Sequence, residues 1–396
     1  YNTIIRTVIR TLCYITSKVI EGVERYPVRR NPRTLIGAVV TIVIIIVALY
    51  GVITWWKPRF VVYTYSSFMD WGDEGAEIVL ERAFAPFEEK YGIDIDFVIL
   101  EGDANFIVSR LNAEAANPVA DVVIGIDNIL ILQETARNVL EPYIASNLNL
   151  INESLVSFLD ASHYLTPFDY GLVTLIYSMN TINTTTYPQL ANLTFADLAS
   201  TELASGLVTE DPHLSSPGLS FLLSQIAVYA EILHEDWTTW WDTVENEIDI
   251  EEGWTEAWSA WSTDPTKHLL VSYGTDPAYS ANYLGTAPDT AIAPFYYNGE
   301  HWAWMQVEGL GLVKNGPNPS LGKAFIDYCL NASVQQEIAL NQWMFPVRSD
   351  LTLPSVYQYA IHPDEISLLN TLLSSAEIAS NLQNWLTQYD TVMTPG

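Results

Sequence analysis

Cysteine and positive charge are both scarce in this chain. Only two of its 396 residues are cysteine, and 17 Lys and Arg stand against 47 Asp and Glu, which gives a formal net charge of −30. Cys13 and Cys329 lie on opposite sides of a long apolar run, so the sequence offers neither a disulfide framework nor a cysteine-based zinc pattern. Nucleic-acid binding requires clustered cations, and this class of function is therefore excluded.

Signatures of catalysis are missing as well. The sequence contains no GxSxG, no HExxH and no Walker A loop, and its six histidines are scattered without metal-ligand spacing. The Gly309-Leu-Gly311 segment lacks the third glycine and the following helix of a dinucleotide motif. We therefore predict a protein that is not an enzyme, with no catalytic residue, no metal ligand and no cofactor.

The apolar, uncharged run of residues 34–56 predicts a transmembrane helix. At 1.5 Å per residue, a helix of this length crosses the hydrocarbon core of a bilayer. Four arginines lie between residues 25 and 33, and Trp55 and Trp56 close the run. Positive residues favour the cytoplasmic side, so we expect a single-pass protein with a cytoplasmic N-terminus and an extracellular region after Lys57.

Residues 1–33 are predicted to form an amphipathic helix at the inner membrane surface. Apolar residues recur at helical spacing from Ile5 to Ile20, while Arg6 and Arg10 occupy other faces. Interfacial anchoring is one interpretation of this pattern. A helix–helix contact that drives self-assembly through residues 1–56 is the other.

Charge divides the chain in the same place. Residues 1–60 contain nine basic and two acidic residues, whereas residues 61–396 contain eight basic and forty-five acidic residues. A strongly acidic exterior attracts cationic ligands, although it also serves simply to keep a surface soluble. N-glycosylation sequons agree with an extracellular location and begin at Asn152, Asn183, Asn192 and Asn331.

An alternation of strands and helices begins at residue 60. Strands are predicted at Phe60–Tyr65, Asp94–Leu100 and Ala120–Ile126, and helices at Glu74–Tyr91 and Asn105–Ala116. This order predicts an α/β fold with a parallel sheet. Ligands of such sheets bind beyond the carboxyl ends of the strands.

The middle of the chain predicts a second lobe. The turn-rich stretch 167–171 suggests a crossing between lobes before the apolar run 172–178. Ser215 to Gly218 then lead into a helix over 219–232, and this start is either an ordinary helix cap or an anion site.

Tryptophans are concentrated between residues 237 and 261. Trp237, Trp240 and Trp241 have the spacing of a buried helix face. Gly253 interrupts the pattern and would place Trp254 at the start of a helix. Aromatic residues are usually part of a core, but aromatic residues in several separate strand-end turns also suggest a binding site.

Seven segments together resemble the thiamine-binding family of ABC-transporter solute-binding proteins, and they follow the order of that family across about 290 residues. They are VYTYSSF at 62–68 with Asp70-Trp-Gly72, ADVVIGIDN at 120–128, PFDYG at 167–171, Asp211-Pro212 with SSPGL at 215–219, GWTEA at 253–257, Ser272-Tyr273 with Asp276-Pro-Ala-Tyr279, and WMFPV at 343–347.

The resemblance implies a two-lobed, class II periplasmic-binding-protein-like fold in which the chain crosses twice between lobes. Lobe one would comprise residues 60–167 and 281–396, and lobe two residues 168–280. It further implies capture of thiamine or its phosphates and delivery to a permease of the ABC-transporter class. The family itself says nothing about residues 1–59.

The resemblance also assigns ligand-binding residues. Family aromatics at or near the ligand correspond to Trp71, Trp254, Tyr273, Tyr279 and Trp343, with Tyr65 as a further assignment; an acidic pocket residue corresponds to Asp127; and the segment facing the phosphate corresponds to Ser215, Ser216 and Gly218. We expect Trp254 and Tyr279 to close over Asp127 and Trp71. The basic residue that begins this segment in the family is replaced by His213 in this chain, which argues against strong binding of a phosphorylated ligand.

Two alternatives remain at this point. The same fold could bind an oxyanion or ferric iron, for which Tyr273 and Tyr279 are candidate ligands. The chain could also be a structural protein of a surface assembly, built on this fold and joined through residues 1–56.

Overall fold

The computed structural model describes residues 59–393. Its strands are β1 (Arg59–Tyr65), β2 (Asp94–Leu100), β3 (Val122–Asp127), β4 (Leu140–Glu141), β5 (Leu165–Ser178), β6 (Leu207–Glu210), β7 (Asp249–Glu251), β8 (Leu269–Tyr273), β9 (Thr290–Ile292), β10 (Phe295–Tyr297), β11 (Glu300–Val313), β12 (Phe345–Pro346) and β13 (Ser367–Leu368).

Helices cover the sheet. They are α1 (Ala76–Tyr91), α2 (Ala104–Ala113), α3 (Glu134–Arg137), α4 (Glu153–Asp160), α5 (Phe195–Leu198), α6 (Thr201–Ala204), α7 (Ser216–Ala227), α8 (Thr238–Val244), α9 (Trp254–Thr263), α10 (Asp276–Leu284), α11 (Pro319–Cys329), α12 (Ala332–Asn341) and α13 (Ser375–Met393). A π-helical turn, Val228–Leu233, continues α7, and short 3-10 turns lie at Leu130–Leu132, Leu148–Leu150, Pro188–Asn192, Ser355–Tyr359 and Leu369–Thr371.

The main sheet is mixed, with the strand order β2-β1-β3-β11-β5-β8-β6-β7. At one end, β1 runs parallel to β2 and β3, and at the other end β6 runs parallel to β7 and β8. The two central strands, β5 and β11, are 14 residues long and are antiparallel to each other and to their neighbours β8 and β3. The predicted α/β fold is confirmed for the described residues, but the sheet is mixed and not wholly parallel, because the long strands β5 and β11 run antiparallel to their neighbours.

Helix α1 illustrates how the sequence forms these elements. Its buried side chains, from Val79 to Phe87, recur at helical spacing and pack on the sheet. Gly92 ends the helix in the left-handed region, with φ of 65°, and its N–H donates to the carbonyl of Glu88 over 2.8 Å. The predicted strand over 94–100 follows directly and is confirmed with the same bounds.

The predicted break at 167–171 is wrong, because these residues lie inside β5. Glu308 pairs with Asp169 and Gly309 with Pro167, so Phe168 is an extra residue on its strand. This is the arrangement of a β-bulge, and a bulge tolerates the missing N–H of proline. The turn-forming composition is therefore explained by a local irregularity in a continuous strand.

Aromatic side chains fill the core beside α8. Trp240 and Trp241 are 2% and 1% exposed, which confirms the predicted buried face. The Trp240 indole N–H donates to the Phe195 carbonyl over 2.7 Å, and the rings of Phe195 and Phe295 stack with their centroids 3.9 Å apart. This cluster fixes the helices α5 and α8 against β10.

The segment Ser216–Leu233 is long and apolar enough to cross a membrane by composition alone. Within this fold, however, 78% of it is buried, and α7 packs against β5, β6, β8 and β11. It is therefore the central helix of the domain.

Several predictions fall on other parts of the chain. The amphipathic helix over 1–33 and the transmembrane helix over 34–56 lie outside the described residues. Among the sequon asparagines, Asn152 and Asn192 are exposed, while Asn183 and Asn331 are half-buried. The division into lobes at 167–168 and 280–281 stays a prediction.

Replacing Trp240 tests the importance of the aromatic cluster. We expect Trp240→Ala to lower the free energy of unfolding by about 3–5 kcal/mol, because it leaves a large cavity. Trp240→Phe keeps much of the ring volume but leaves the Phe195 carbonyl without its donor, so a smaller loss of about 1–3 kcal/mol is expected. Urea unfolding followed by fluorescence measures both values.

The partly exposed Trp385 of α13 provides the control. Trp385→Ala should cost clearly less than Trp240→Ala. A loss below about 1 kcal/mol for Trp240→Ala would contradict a cluster that holds these helices together.

Candidate functional site

A cavity lies where loops after β1 and β2 meet the starts of α7, α9 and α10 and the turn after α12. Seven of the residues predicted from the sequence line it: Tyr65, Trp71, Ser216, Trp254, Tyr273, Tyr279 and Trp343. Residues that the sequence prediction did not include also line it, among them Ser67, Asp103, Pro217, Trp258, Asp276, Gln306, Glu308, Gln342 and Met344.

Three predicted residues lie behind the cavity wall. Asp127 is fully buried and accepts hydrogen bonds from the N–H groups of Ile129 and Leu130, at 2.7 and 2.8 Å, and from the Ser216 hydroxyl. Ser215 precedes the first turn of α7, and Gly218 packs tightly on the backbone of Glu210. These groups therefore support Ser216 and Pro217, which reach the cavity.

The aromatic rings form a cage with edge-to-face contacts. The Trp71 ring lies 4.8 Å from Trp254 and 6.1 Å from Tyr279, measured between centroids. Tyr279 in turn meets Trp343 at 5.3 Å and Trp258 at 5.5 Å. Trp254 and Tyr279 were expected to close over Asp127 and Trp71; their rings contact Trp71, and Tyr279 also contacts Trp258, but Asp127 does not line the cavity. Such a cage presents several π faces to one small volume.

Backbone geometry fixes the position of Trp343. Its φ of 56° lies in the left-handed region, and its N–H donates to the Ile338 carbonyl, which terminates α12. The indole N–H then donates to the Trp71 carbonyl over 2.9 Å. Two aromatic residues that are 272 positions apart are thereby held together. A non-glycine residue in this conformation is often found at a binding site.

Trp254 is placed by the start of α9. Gly253 is the N-cap, as the sequence predicted, and the indole N–H donates to the Ser272 hydroxyl over 2.9 Å. Asp103, which precedes α2, directs a carboxylate oxygen toward the backbone N–H of Trp254 at 3.5 Å. One side of the aromatic cage is therefore flanked by an acidic group.

The acidic lining of the cavity was not in the sequence prediction. Asp103 follows β2, where the strand pattern of the sequence stops and polar residues begin. Asp276 lies inside one of the seven segments that resemble the family. Glu308, in contrast, lies within the apolar strand β11, and no local signal distinguishes it. Its role depends on strand pairing across distant parts of the chain.

Strand pairing aligns three carboxyl groups in the centre of the sheet. Glu308 of β11 is the direct partner of Asp127 on β3 and of Asp169 on β5. All three are buried. Directly paired residues in antiparallel strands point to the same face with Cβ atoms about 5 Å apart. A row of acids therefore lies at the base of the cavity.

Tyr65 links this row to the cavity. Its hydroxyl donates to Glu308 Oε2 over 2.7 Å and accepts from the Gln342 side-chain amide at 2.6 Å. Gln306 donates to the other oxygen of Glu308 at 2.9 Å. A Cβ atom at Gly125, whose φ is 109°, would lie 2.3 Å from the Tyr65 ring, so glycine at that position leaves room for the phenol.

Burial raises the pKa of every carboxyl group around the cavity. Desolvation raises the pKa of Asp103 to about 6 and of Asp276 to about 7. Desolvation, followed by repulsion from Asp169, raises the pKa of Glu308 well above its usual range. A positive charge inside the cavity would oppose these shifts by favouring the ionised forms.

Positive side chains lie elsewhere. Residues 59–393 contain nine Lys and Arg, and neither these nor any histidine in that range lines the cavity. Ion pairs at the surface hold several of them: Arg82 with Glu337, Arg110 with Glu114, Lys267 with Asp249, Lys323 with Glu141, and Arg348 with Asp350. The cavity is therefore aromatic and acidic without a compensating cation among the described residues.

Comparison with known proteins agrees with this description. Residues 67–336 match the family of bacterial extracellular solute-binding proteins. The thiamine-binding periplasmic protein of Escherichia coli (strain K12) is 29% identical over 343 residues, which cover 84% of this chain and 93% of that protein. That of Haemophilus influenzae is 23% identical over 336 residues, 84% of this chain and 92% of the relative.

Solved structures give the same result for the fold. A periplasmic thiamin binding protein superimposes with a TM-score of 0.71 at 26% identity, covering 86% of this chain and 97% of that one. A ferric binding protein from Campylobacter jejuni has a TM-score of 0.65 at 18% identity, covering 84% and 99%, which shows a shared fold alone.

The family match spans more than half of the sequence, and the cavity has a binding rather than a catalytic character. The likeness to the thiamin binding structure extends over the same region. This chain therefore belongs to the bacterial extracellular solute-binding proteins of ABC transport, a non-enzymatic family with a periplasmic-binding-protein-like fold.

Proposed function

We propose that this chain captures thiamine outside the cell. The observation that carries the proposal is the cavity itself, in which aromatic rings surround a small volume lined by carboxyl groups and by no basic side chain of residues 59–393. Thiamine combines a flat, permanently positive thiazolium ring with a flat aminopyrimidine. Relatives named for thiamine binding support the same ligand.

The chemistry of the cage fits such a cation. A positive ring over a Trp or Tyr face gains about 0.5–2 kcal/mol per contact, in addition to the burial of apolar area. Asp103, Asp276 and Glu308 provide hydrogen-bond acceptors and negative charge at the cavity wall. An oxyanion finds no such complement. Ferric iron needs phenolate ligands, whereas burial and nearby carboxyl groups raise the pKa of Tyr273 well above its usual value.

Thiamine itself is the ligand we propose, in preference to its phosphates. The Ser216 hydroxyl at the start of α7 donates to Asp127. His213, close to the basic position of the family segment, contacts Asp390 of α13 through Nε2 at 2.7 Å. Neither group is directed to a phosphate, which carries a charge of about −1.5 to −2 at pH 7.

We further propose that the protein is anchored by residues 34–56 and passes its ligand to an ABC-transporter permease. The uncharged run, the preceding arginines and the exposed sequon residues Asn152 and Asn192 support this arrangement. Self-assembly through the same residues 1–56 is the alternative role of this region.

The two-lobed arrangement is also a proposal. The long strands β5 and β11 run through the centre of the sheet, between the parallel group β2-β1-β3 and the parallel group β8-β6-β7. Trp71 follows β1 and Trp254 follows β7, so the contact between their rings joins the two groups. Bending of β5 and β11 near their bulge would open this contact and admit the ligand.

Removing the Trp254 ring tests the cage. We expect Trp254→Ala to weaken thiamine binding by about 10- to 100-fold, or about 1.4–2.8 kcal/mol, since one face of the cage is lost. Isothermal titration calorimetry measures the change. Trp385→Ala, which removes a tryptophan from α13 outside the cavity, should leave the affinity within about twofold. Equal effects of the two substitutions would argue against the cage.

Phosphorylation of the ligand tests the charge of the cavity. Thiamine monophosphate should bind at least about tenfold more weakly than thiamine at pH 7.5, because a phosphate approaches the carboxyl groups without a balancing cation. Parallel titrations at low and moderate salt provide the measurement, and the difference should shrink as salt increases. Tighter binding of the phosphate ester would contradict thiamine as the preferred ligand.

Membrane attachment is tested by extraction. The full chain should stay in the membrane fraction after an alkaline carbonate wash, whereas a chain that starts at residue 57 should appear in the supernatant. Release of the full chain by carbonate would rule out a spanning segment at 34–56. Light scattering of both forms in detergent then shows whether residues 1–56 also promote self-assembly.

A further inference from the structure

The three carboxyl groups in the centre of the sheet, Asp127, Glu308 and Asp169, accept different numbers of hydrogen bonds. Asp127 accepts from two backbone N–H groups and the Ser216 hydroxyl, and Glu308 accepts from Tyr65 and Gln306. Neither oxygen of Asp169 has a hydrogen-bond partner among residues 59–393. Asp169 is also completely buried. Of the three, it is the carboxyl group whose ionised form the protein stabilises least.

The surroundings of Asp169 and Glu308 supply no positive charge. Groups with a titratable or polar end that face the pair come from every neighbouring element: Tyr65 of β1, Asp103 before α2, Asp127 of β3, Tyr273 of β8, Gln306 of β11, Gln342 after α12 and Tyr357 of the 3-10 turn 355–359. Each of these is neutral or acidic. A charge on the pair can therefore be balanced only by a proton or by a bound cation.

Geometry connects the pair to the ligand. Glu308 lines the cavity, Asp169 is its direct partner on β5, and the Tyr65 hydroxyl bonded to Glu308 belongs to the aromatic lining. A cation held by the cage therefore shares the cavity with Glu308, and Asp169 lies beside Glu308 on the neighbouring strand. The electrostatic attraction between cation and carboxylate is strong in such a buried place.

We propose that the bound cation replaces a proton held by Asp169 beside Glu308, so that ligand capture expels about one proton. This inference rests on the proposed function, because it requires an organic cation in the cavity. The O–H bond of one carboxyl group breaks, the proton passes to solvent, and the resulting carboxylate balances the charge of the ligand. Capture is therefore favoured at high pH, and acid favours release.

The direction of the effect follows from linkage. Burial raises the pKa of Asp169 to about 8, far above the value of an exposed aspartate, so the unliganded pair keeps its proton through neutral pH. The ligand lowers this pKa, and affinity rises with pH up to tenfold per unit until about pH 8. The stability that the protonated pair gives the unliganded fold is lost as pH rises toward the same value.

Calorimetry of the full chain in detergent measures the proton directly. Thiamine is titrated at pH 7 in buffers of different ionisation enthalpy, and the slope of the heat gives the number of protons released. We expect about one proton for the natural chain. Asp169→Asn should bind thiamine more weakly and release less than about a third of a proton, because the substitution removes the carboxyl group that holds the proton.

A matched control is available in α4. Asp160 is also buried, but its two oxygens accept from the N–H groups of Ser162 and Tyr164, and it lies outside the cavity. Asp160→Asn should therefore leave the released proton unchanged. The affinity of the natural chain between pH 6 and 8 provides a second measurement that does not depend on how well Asp169→Asn folds.

The possible outcomes separate the two proposals. Thiamine binding with no proton release, or an affinity that is constant from pH 6 to 8, overturns the exchange alone. An unchanged proton count in Asp169→Asn does the same. Absence of thiamine binding by the folded natural chain overturns the proposed function and the exchange together.

Discussion

Negative charge buried without a partner is the constraint on which the rest of this structure depends. Register places Asp127, Glu308 and Asp169 side by side on three central strands, and several positive residues of the domain pair with acids at the surface. Ionised carboxyl groups are costly in such a place unless something balances them. The fold therefore holds these groups in protonated form or holds a cation beside them.

The rest of the fold supports that arrangement from a distance. The bulge that includes Phe168 keeps Asp169 opposite Glu308 while it accommodates Pro167. Gly125 leaves room for the Tyr65 ring, and the left-handed Trp343 ends α12 and points its indole toward Trp71. Each feature is unfavourable by the rules for regular strands and helices. Each lies next to the cavity, and each fixes the position of a side chain there at the cost of local strain.

Local sequence patterns predicted the helices and strands better than they predicted the residues that line the cavity. Period-two alternation and a glycine stop gave the strand over 94–100 with its true bounds, and helical spacing identified the buried face of Trp240 and Trp241. Aromatic residues in the family-like segments did meet in one cavity. Glu308 could not be predicted, because its position depends on pairing between β11 and strands more than 130 residues earlier in the chain. The break at 167–171 failed because proline and glycine occur in bulges as well as turns.

With thiamine as the proposed ligand, two features of the cavity select what binds: the aromatic cage and the carboxyl groups. The cage of Trp71, Trp254 and Tyr279 attracts any flat ring and gains most from a positive one, at a nearly constant strength across neutral pH. The carboxyl groups below it discriminate by charge alone, and their strength depends on a proton. A neutral ring would use the cage but could not replace that proton, and an anion would be repelled by the row once it is ionised. Selectivity for a cation is therefore a property of β5 and β11, whereas the aromatic loops provide affinity for flat ligands in general.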